Sequence, residues 1–178
     1  MAKKREYKKW SQQQYTHASC WVIIAEALLG FGNKAVNYYR MINPIEHARN
    51  KEAAQKYKVE PYVIAADIYG AQNLAGMGGW TWYTGSSSWF YQAGIEYILG
   101  FKIEDNKIKF NPCVPKYWKE YSIRYKFERS IYNIKISNSE ENNGKIKVVL
   151  DGKEYKNEIQ LDGSGKIFNI EVIIGAKL

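Results

Sequence analysis

Apolar residues recur at helical spacing in the first hundred positions and alternate with polar ones after that. Trp21, Ile24, Ala25, Leu28 and Leu29 fall three and four residues apart, and Gly30 and Gly32 follow, which predicts a helix that stops there. Residues 34–41 predict a second helix, ended at Asn43-Pro44 because the residue before proline is pushed out of the helical region. Residues 52–57 predict a third. Pro61 suits a first helical position, so a fourth helix is expected over 62–69, closed by Gly70. Residues 70–79 read as a loop rich in Gly, Ala and Asn. Residues 86–99 read as a last helix that buries Trp89, Phe90, Ala93, Tyr97 and Ile98 and ends at Gly100.

From Phe101 the period changes from 3.6 to 2. Ile108 and Phe110 alternate with lysines, and Ile123, Tyr125 and Phe127 share a face opposite Ser122, Arg124 and Lys126. Ile134 and Ile136 continue the pattern beyond a turn at 128–130. Val148 and Leu150 run into Asp151-Gly152, a two-residue hairpin signal. Asp162-Gly163-Ser164-Gly165 turns into Phe168, Ile170, Val172 and Ile174. Six to eight short antiparallel strands are expected, packed as a β-sandwich. The fold class is therefore α+β, with a segment at 1–13, a helical part at 14–100 and an antiparallel β-sandwich domain at 101–178. The chain carries no internal repeat, and the polar turn at 140–144 is too short for a linker.

Composition narrows the function classes. Of 178 residues, 26 are Lys or Arg and 18 are Asp or Glu, a formal charge of +8. Part of the excess lies at the start, where Lys3, Lys4, Arg5, Lys8 and Lys9 face one acid, Glu6. Such a run reads first as a solvated terminus, and no nucleic-acid-binding signature accompanies it. Nothing approaches the ~20 apolar residues of a membrane-spanning helix. Cys20 and Cys113 lie far apart in apolar surroundings without metal-ligand spacing, as expected of free buried thiols in a reducing compartment. A cytoplasmic protein without metal or cofactor is the expectation.

Candidate chemistry concentrates in Gly78-Gly79-Trp80-Thr81-Trp82-Tyr83-Thr84-Gly85-Ser86. Trp80, Trp82 and Tyr83 offer flat faces suited to sugar rings, with at least one expected in the core. Thr84 and Gly85 offer a hydroxyl and backbone N–H groups to an anion; the alternative is a turn in which Thr84 caps a helix. His17, ahead of an apolar run, is either a capping or core histidine or a phosphate donor. Glu60 before Pro61 is a carboxylate at a helix start or a site acid. His47 and Arg49, after Asn43-Pro44, either reach sugar hydroxyls or bind their own loop.

Several segments carry a resemblance in matching order: Gln14-Tyr15-Thr16-His17-Ala18, Ile42-Asn43-Pro44-Ile45-Glu46-His47-Ala48-Arg49, Val59-Glu60-Pro61-Tyr62-Val63, Gly79-Trp80-Thr81-Trp82-Tyr83-Thr84-Gly85 and Asn111-Pro112-Cys113-Val114-Pro115. Together they resemble the family-94 glycoside phosphorylases, the cellobiose and chitobiose phosphorylase group. The variants at 42–49 and 65–67 look most like the branch acting on β-1,2-glucans, which includes the phosphorylase-like C-terminal region of cyclic β-1,2-glucan synthases. The resemblance implies that 14–100 are helices of an incomplete (α/α) toroid. It implies phosphate contacts from His17, Thr84 and Gly85, with β-glucan oligosaccharide and inorganic phosphate as substrates. A further glutamine donor of some members has no counterpart in Val63-Ile64-Ala65-Ala66-Asp67. The family's general-acid Asp lies upstream of every motif matched, so the chain is expected to be a C-terminal portion, inactive alone, with a separate chain as one source of the missing helices. A non-catalytic carbohydrate-binding module or docking subunit is the alternative.

Overall fold

The computed structural model describes residues 13–82, 84–139, 145–156 and 158–175. The expected basic segment at 1–13, apart from the backbone of its last residue, and the turn at 140–144 lie outside them. The chain divides into two compact units, with the boundary between Gly94 and Ile95.

The first unit holds β1 (Gln13–Tyr15), α1 (Thr16–Leu28), α2 (Gly32–Ile42), α3 (Pro44–His47), α4 (Lys51–Tyr57), β2 (Asp67–Tyr69), β3 (Gly78–Gly79) and α5 (Ser86–Gln92). The short helices begin where side chains satisfy free backbone donors: Asn43 Oδ1 accepts from Ile45 N–H at 3.0 Å and Asn50 Oδ1 from Ala53 N–H at 2.8 Å. Pro44 occupies the first turn of α3, and Lys58 in the left-handed region ends α4. Helices α1 and α2 pack together, and Tyr39 of α2 stacks on Phe90 of α5 at 3.9 Å.

Three expectations change here. The helix over 62–69 does not form; Val63, Ile64, Ala65 and Ala66 are buried in irregular backbone that leads into β2. Strand pairing supplies the backbone bonds instead. β2 runs antiparallel between β1 and β3, Thr16 N–H donates to Ala66 O at 2.8 Å, and Ala66 N–H donates to Trp80 O at 3.0 Å. Tertiary pairing overrides the local proline signal. The helix over 86–99 is α-helical only through Gln92, after which Ala93–Ile98 is π-helical. In α1 the buried face is Thr16, Cys20, Ile23 and Ala27, whereas Trp21, Leu28 and Leu29 of the predicted stripe are exposed.

The second unit holds β4 (Phe101–Glu104), β5 (Lys107–Phe110), β6 (Glu120–Phe127), β7 (Ser130–Asn138), β8 (Ile146–Leu150), β9 (Lys153–Tyr155), β10 (Glu158–Gln160) and β11 (Ile167–Ile174). They form a three-stranded sheet in the order β10-β5-β4 and a five-stranded sheet in the order β6-β7-β11-β8-β9. Asp105-Asn106 and Asp151-Gly152 join their hairpins with positive φ at both positions, the requirement of a tight hairpin turn whose twist matches the strands. One ladder departs from the all-antiparallel expectation: β11 lies parallel to β7, wedged between it and β8. The alternating faces of both sheets bury Phe101, Ile108, Phe110, Ile134, Ile136, Val148, Ile170 and Val172, and Phe101 meets Tyr125 of the larger sheet at 5.3 Å. The unit is α+β's β half, and none of the candidate site residues belongs to it.

Candidate functional site

The start of α1 and the start of α5 are neighbours. His17 lies 5.8 Å, ring to ring, from Trp89, and the Cys20 thiol approaches Ser86 O at 3.8 Å. His17 lies among the rings of Tyr15, Trp21 and Trp89, and among the described residues its buried Nε2 has no hydrogen-bond partner; the Oγ1 of buried Thr16 also lacks one there. A buried polar atom without a partner is costly, so both atoms at the head of α1 call for a partner. Thr84 Oγ1 bonds the hydroxyl of buried Ser86 and accepts from Ser86 N–H at 3.1 Å. Thr84 thus closes the turn into α5 from one residue outside it; the cap position itself is Gly85, so Thr84 is not the capping residue of the alternative reading. Gly85 is exposed, and a Cβ placed on it would meet no heavy atom within 4 Å. The corner is open on that side.

Of the three rings of the aromatic segment, one of which is expected in the core, two are described and both are exposed. Trp80 is 71% exposed and Trp82 65% exposed; Tyr83 lies outside the described residues. Both tryptophans have left-handed backbones, φ 58° and 69°. Trp82 Nε1–H donates to Glu60 Oε1 at 2.9 Å, and the 72%-exposed Tyr62 meets the Trp82 ring edge-on at 6.4 Å. The indole bond, ahead of other contributions, holds the Glu60 carboxyl below its ordinary range. No helix follows Glu60, so its reading as a helix-start carboxylate falls away. Preceding the tryptophans, Gly79 leaves the space that the Tyr69 hydroxyl fills; a Cβ would overlap it.

His47 and Arg49 are elsewhere. They line a cleft of about 500 Å³ with Glu46, Asn50, Glu52, Ala53, Lys56 and Gly76. His47 Nε2 bonds Met41 O at 2.7 Å, its ring stacks on Tyr57 at 4.9 Å, and Arg49 pairs with Glu46 at 3.7 Å. Neither His17 nor Thr84 lines that cleft.

Two residues escaped sequence reasoning. For Tyr62 the available signal is its aromatic type beside Glu60-Pro61. Asp67 is half-buried, opposite Tyr15 on one side and Gly79 on the other, and burial pushes its carboxyl up. No periodicity could place it there, because a helix was expected. Among the described residues no group of three or more His, Cys, Asp or Glu could hold a metal ion, and no helix is long and apolar enough to cross a membrane.

Residues 5–100 match the family described as glycosyl hydrolase 94 superfamily, catalytic domain, and 101–157 match glycosyl hydrolase family 65, C-terminal domain. The cyclic beta-(1,2)-glucan synthase NdvB of Rhizobium meliloti is 46% identical over 124 residues, 70% of this chain and 4% of that protein. Solabiose phosphorylase of Paenibacillus borealis is 30% identical over 161 residues, 89% of this chain and 21% of that protein. N,N'-diacetylchitobiose phosphorylase of Vibrio proteolyticus is 26% identical over 163 residues, 90% of this chain and 20% of that protein. The chain therefore spans no more than about a fifth of these relatives' lengths. With its first 5–100 residues matching the catalytic domain, the chain belongs to the glycosyl hydrolase 94 superfamily.

Proposed function

We propose that this chain supplies the phosphate side and part of the sugar-binding wall of an inverting glycoside phosphorylase or glycosyltransferase that acts on β-glucan, with β-1,2 linkages as the substrate class. The observation that carries the reading is the open Thr84-Gly85 corner ahead of α5, beside His17, whose Nε2 lacks a partner among the described residues. Phosphate bound there accepts from the Thr84 hydroxyl, the Gly85 backbone N–H and the His17 imidazole. Charge-assisted donors of this kind orient an oxyanion for attack on an anomeric carbon. Phosphorolysis with inversion also needs a carboxylic acid to protonate the leaving glycosidic oxygen, phosphate taking the place of the activated water of an inverting hydrolase. No Asp or Glu of this chain lies in the family's general-acid motif, so polypeptide outside these residues provides it, in the same protein or in a separate chain. In either case that polypeptide completes an (α/α) toroid against α1, and the β unit is a β-sandwich. The cytoplasm is the proposed compartment.

Phosphate titration followed by NMR tests the site: the Gly85 amide, Thr84 and His17 resonances are expected to move together, and Thr84→Val to abolish the shifts. Unchanged resonances at all three would remove the phosphate claim. The exposure of Trp80 and Trp82 favours a second reading, a non-catalytic glucan-binding module. Glucan binding lost in Trp80→Ala and Trp82→Ala but indifferent to phosphate would select it.

A further inference from the structure

Trp80 and Trp82, one residue apart, both take a backbone conformation that bulky residues disfavour. Such strain persists only where the surroundings over-determine it. Ordinarily a large aromatic would be compensated by burial, yet both indoles stand in solvent. What holds them is polar. Trp80 O accepts from Ala66 N–H at 3.0 Å, tying the loop to the end of β2, and the Trp82 indole N–H is taken by Glu60 at 2.9 Å. Tyr62, two residues beyond Glu60, braces the Trp82 ring edge-on. Pro61 restricts the backbone of Glu60 before it to extended conformations.

We infer that Glu60 is a positioning residue: it clamps the exposed Trp82 indole so that its face serves as a platform for the apolar face of one neutral pyranose ring. The inference rests on the carbohydrate reading above and deepens it. Because the indole N–H is already spent on the carboxylate, it is withdrawn from hydrogen bonding to sugar hydroxyls, and recognition at Trp82 is by ring face. Tyr62 contributes the flanking edge. Contact with the sugar is made by Trp82; Glu60 acts through it.

The test uses the full chain and a linear β-1,2-linked glucose oligosaccharide. The Trp82 indole N–H resonance is followed by NMR in the wild type, Glu60→Ala and Glu60→Gln, with oligosaccharide affinity measured in each. Loss of the carboxylate is expected to move the indole resonance upfield and weaken binding roughly tenfold, within the range for residues in direct contact. Glu60→Gln, which keeps an acceptor oxygen, should restore most of the affinity. In a Trp82→Phe background, where no N–H exists to clamp, Glu60→Ala should change affinity by less than about twofold. An indole resonance indifferent to Glu60→Ala, or an equal loss of affinity in both backgrounds, overturns the clamp. Binding by the wild type that Glu60→Ala leaves intact overturns the positioning role alone. No binding by the wild type overturns the carbohydrate reading beneath it. Amide dispersion in Glu60→Gln serves as the folding control.

Discussion

Asp67 illustrates how one residue carries a pH signature. Burial raises its carboxyl above the ordinary aspartate value of 3.8, so the folded chain holds this proton more tightly than the unfolded chain does. Its contribution is neutral in acid, where both states are protonated. Stability is lost as pH climbs from 3.8 through the raised folded value, and the penalty persists at neutrality. Asp67→Asn is expected to raise the melting temperature at pH 7, with the difference vanishing below that lower limit; a variant less stable at pH 7 would mean that the carboxylate has a favourable partner. Trp80 makes the complementary case. Its left-handed backbone is strained and its side chain gains little from burial, so Trp80→Gly should stabilise the chain by roughly 0.5–1 kcal/mol in denaturant unfolding. A net loss of more than about 1 kcal/mol would reveal packing of the indole.

At the scale of elements, the junction ahead of β4 is the least tolerant point. Gly100 has φ 69°, and Asn111 N–H bonds its carbonyl at 2.8 Å just beyond the β4–β5 pair. A Cβ on Gly100 would overlap the backbone of Asn111 and Pro112, which cannot swing away as a side-chain tip would. Gly100→Ala should therefore cost more than about 2 kcal/mol, read as a shift of the denaturation midpoint, through combined strain and overpacking. One hairpin is legible in the sequence. Asp151-Gly152 announces its turn because both residue types tolerate positive φ at little cost. Segment 62–69 was misread because proline at a first helical position is a local signal, and the bonds that decide its fate come from Gln13–Tyr15 and Gly78–Gly79.

For the molecule as a whole, α1 is the informative element. It is apolar on both sides: Cys20, Ile23 and Ala27 face the unit's interior, while Trp21, Val22, Leu28 and Leu29 are exposed. A helix apolar all round is normally covered on all sides. The chain by itself is expected to self-associate with rising concentration in sedimentation velocity, and Leu28→Glu combined with Leu29→Glu to reduce association without lowering the melting temperature. A monodisperse wild-type monomer over the same concentrations would show that this face is tolerated in water.

The amino-acid sequence by itself determined the change of period at Phe101, helices α1, α2 and α4, the tight hairpin at Asp151-Gly152 and the family, because these depend on neighbours within a few positions or on ordered motifs. Tertiary structure alone decided which face of α1 turns inward, that Asp67–Tyr69 is a strand, that β7 and β11 run parallel, and that Trp82 is held outward by Glu60. The physical reason is one of range. Periodicity and turn chemistry act between residues a few positions apart, whereas strand partners and the Glu60–Trp82 bond join residues separated by twenty or more, where no local preference can specify the contact.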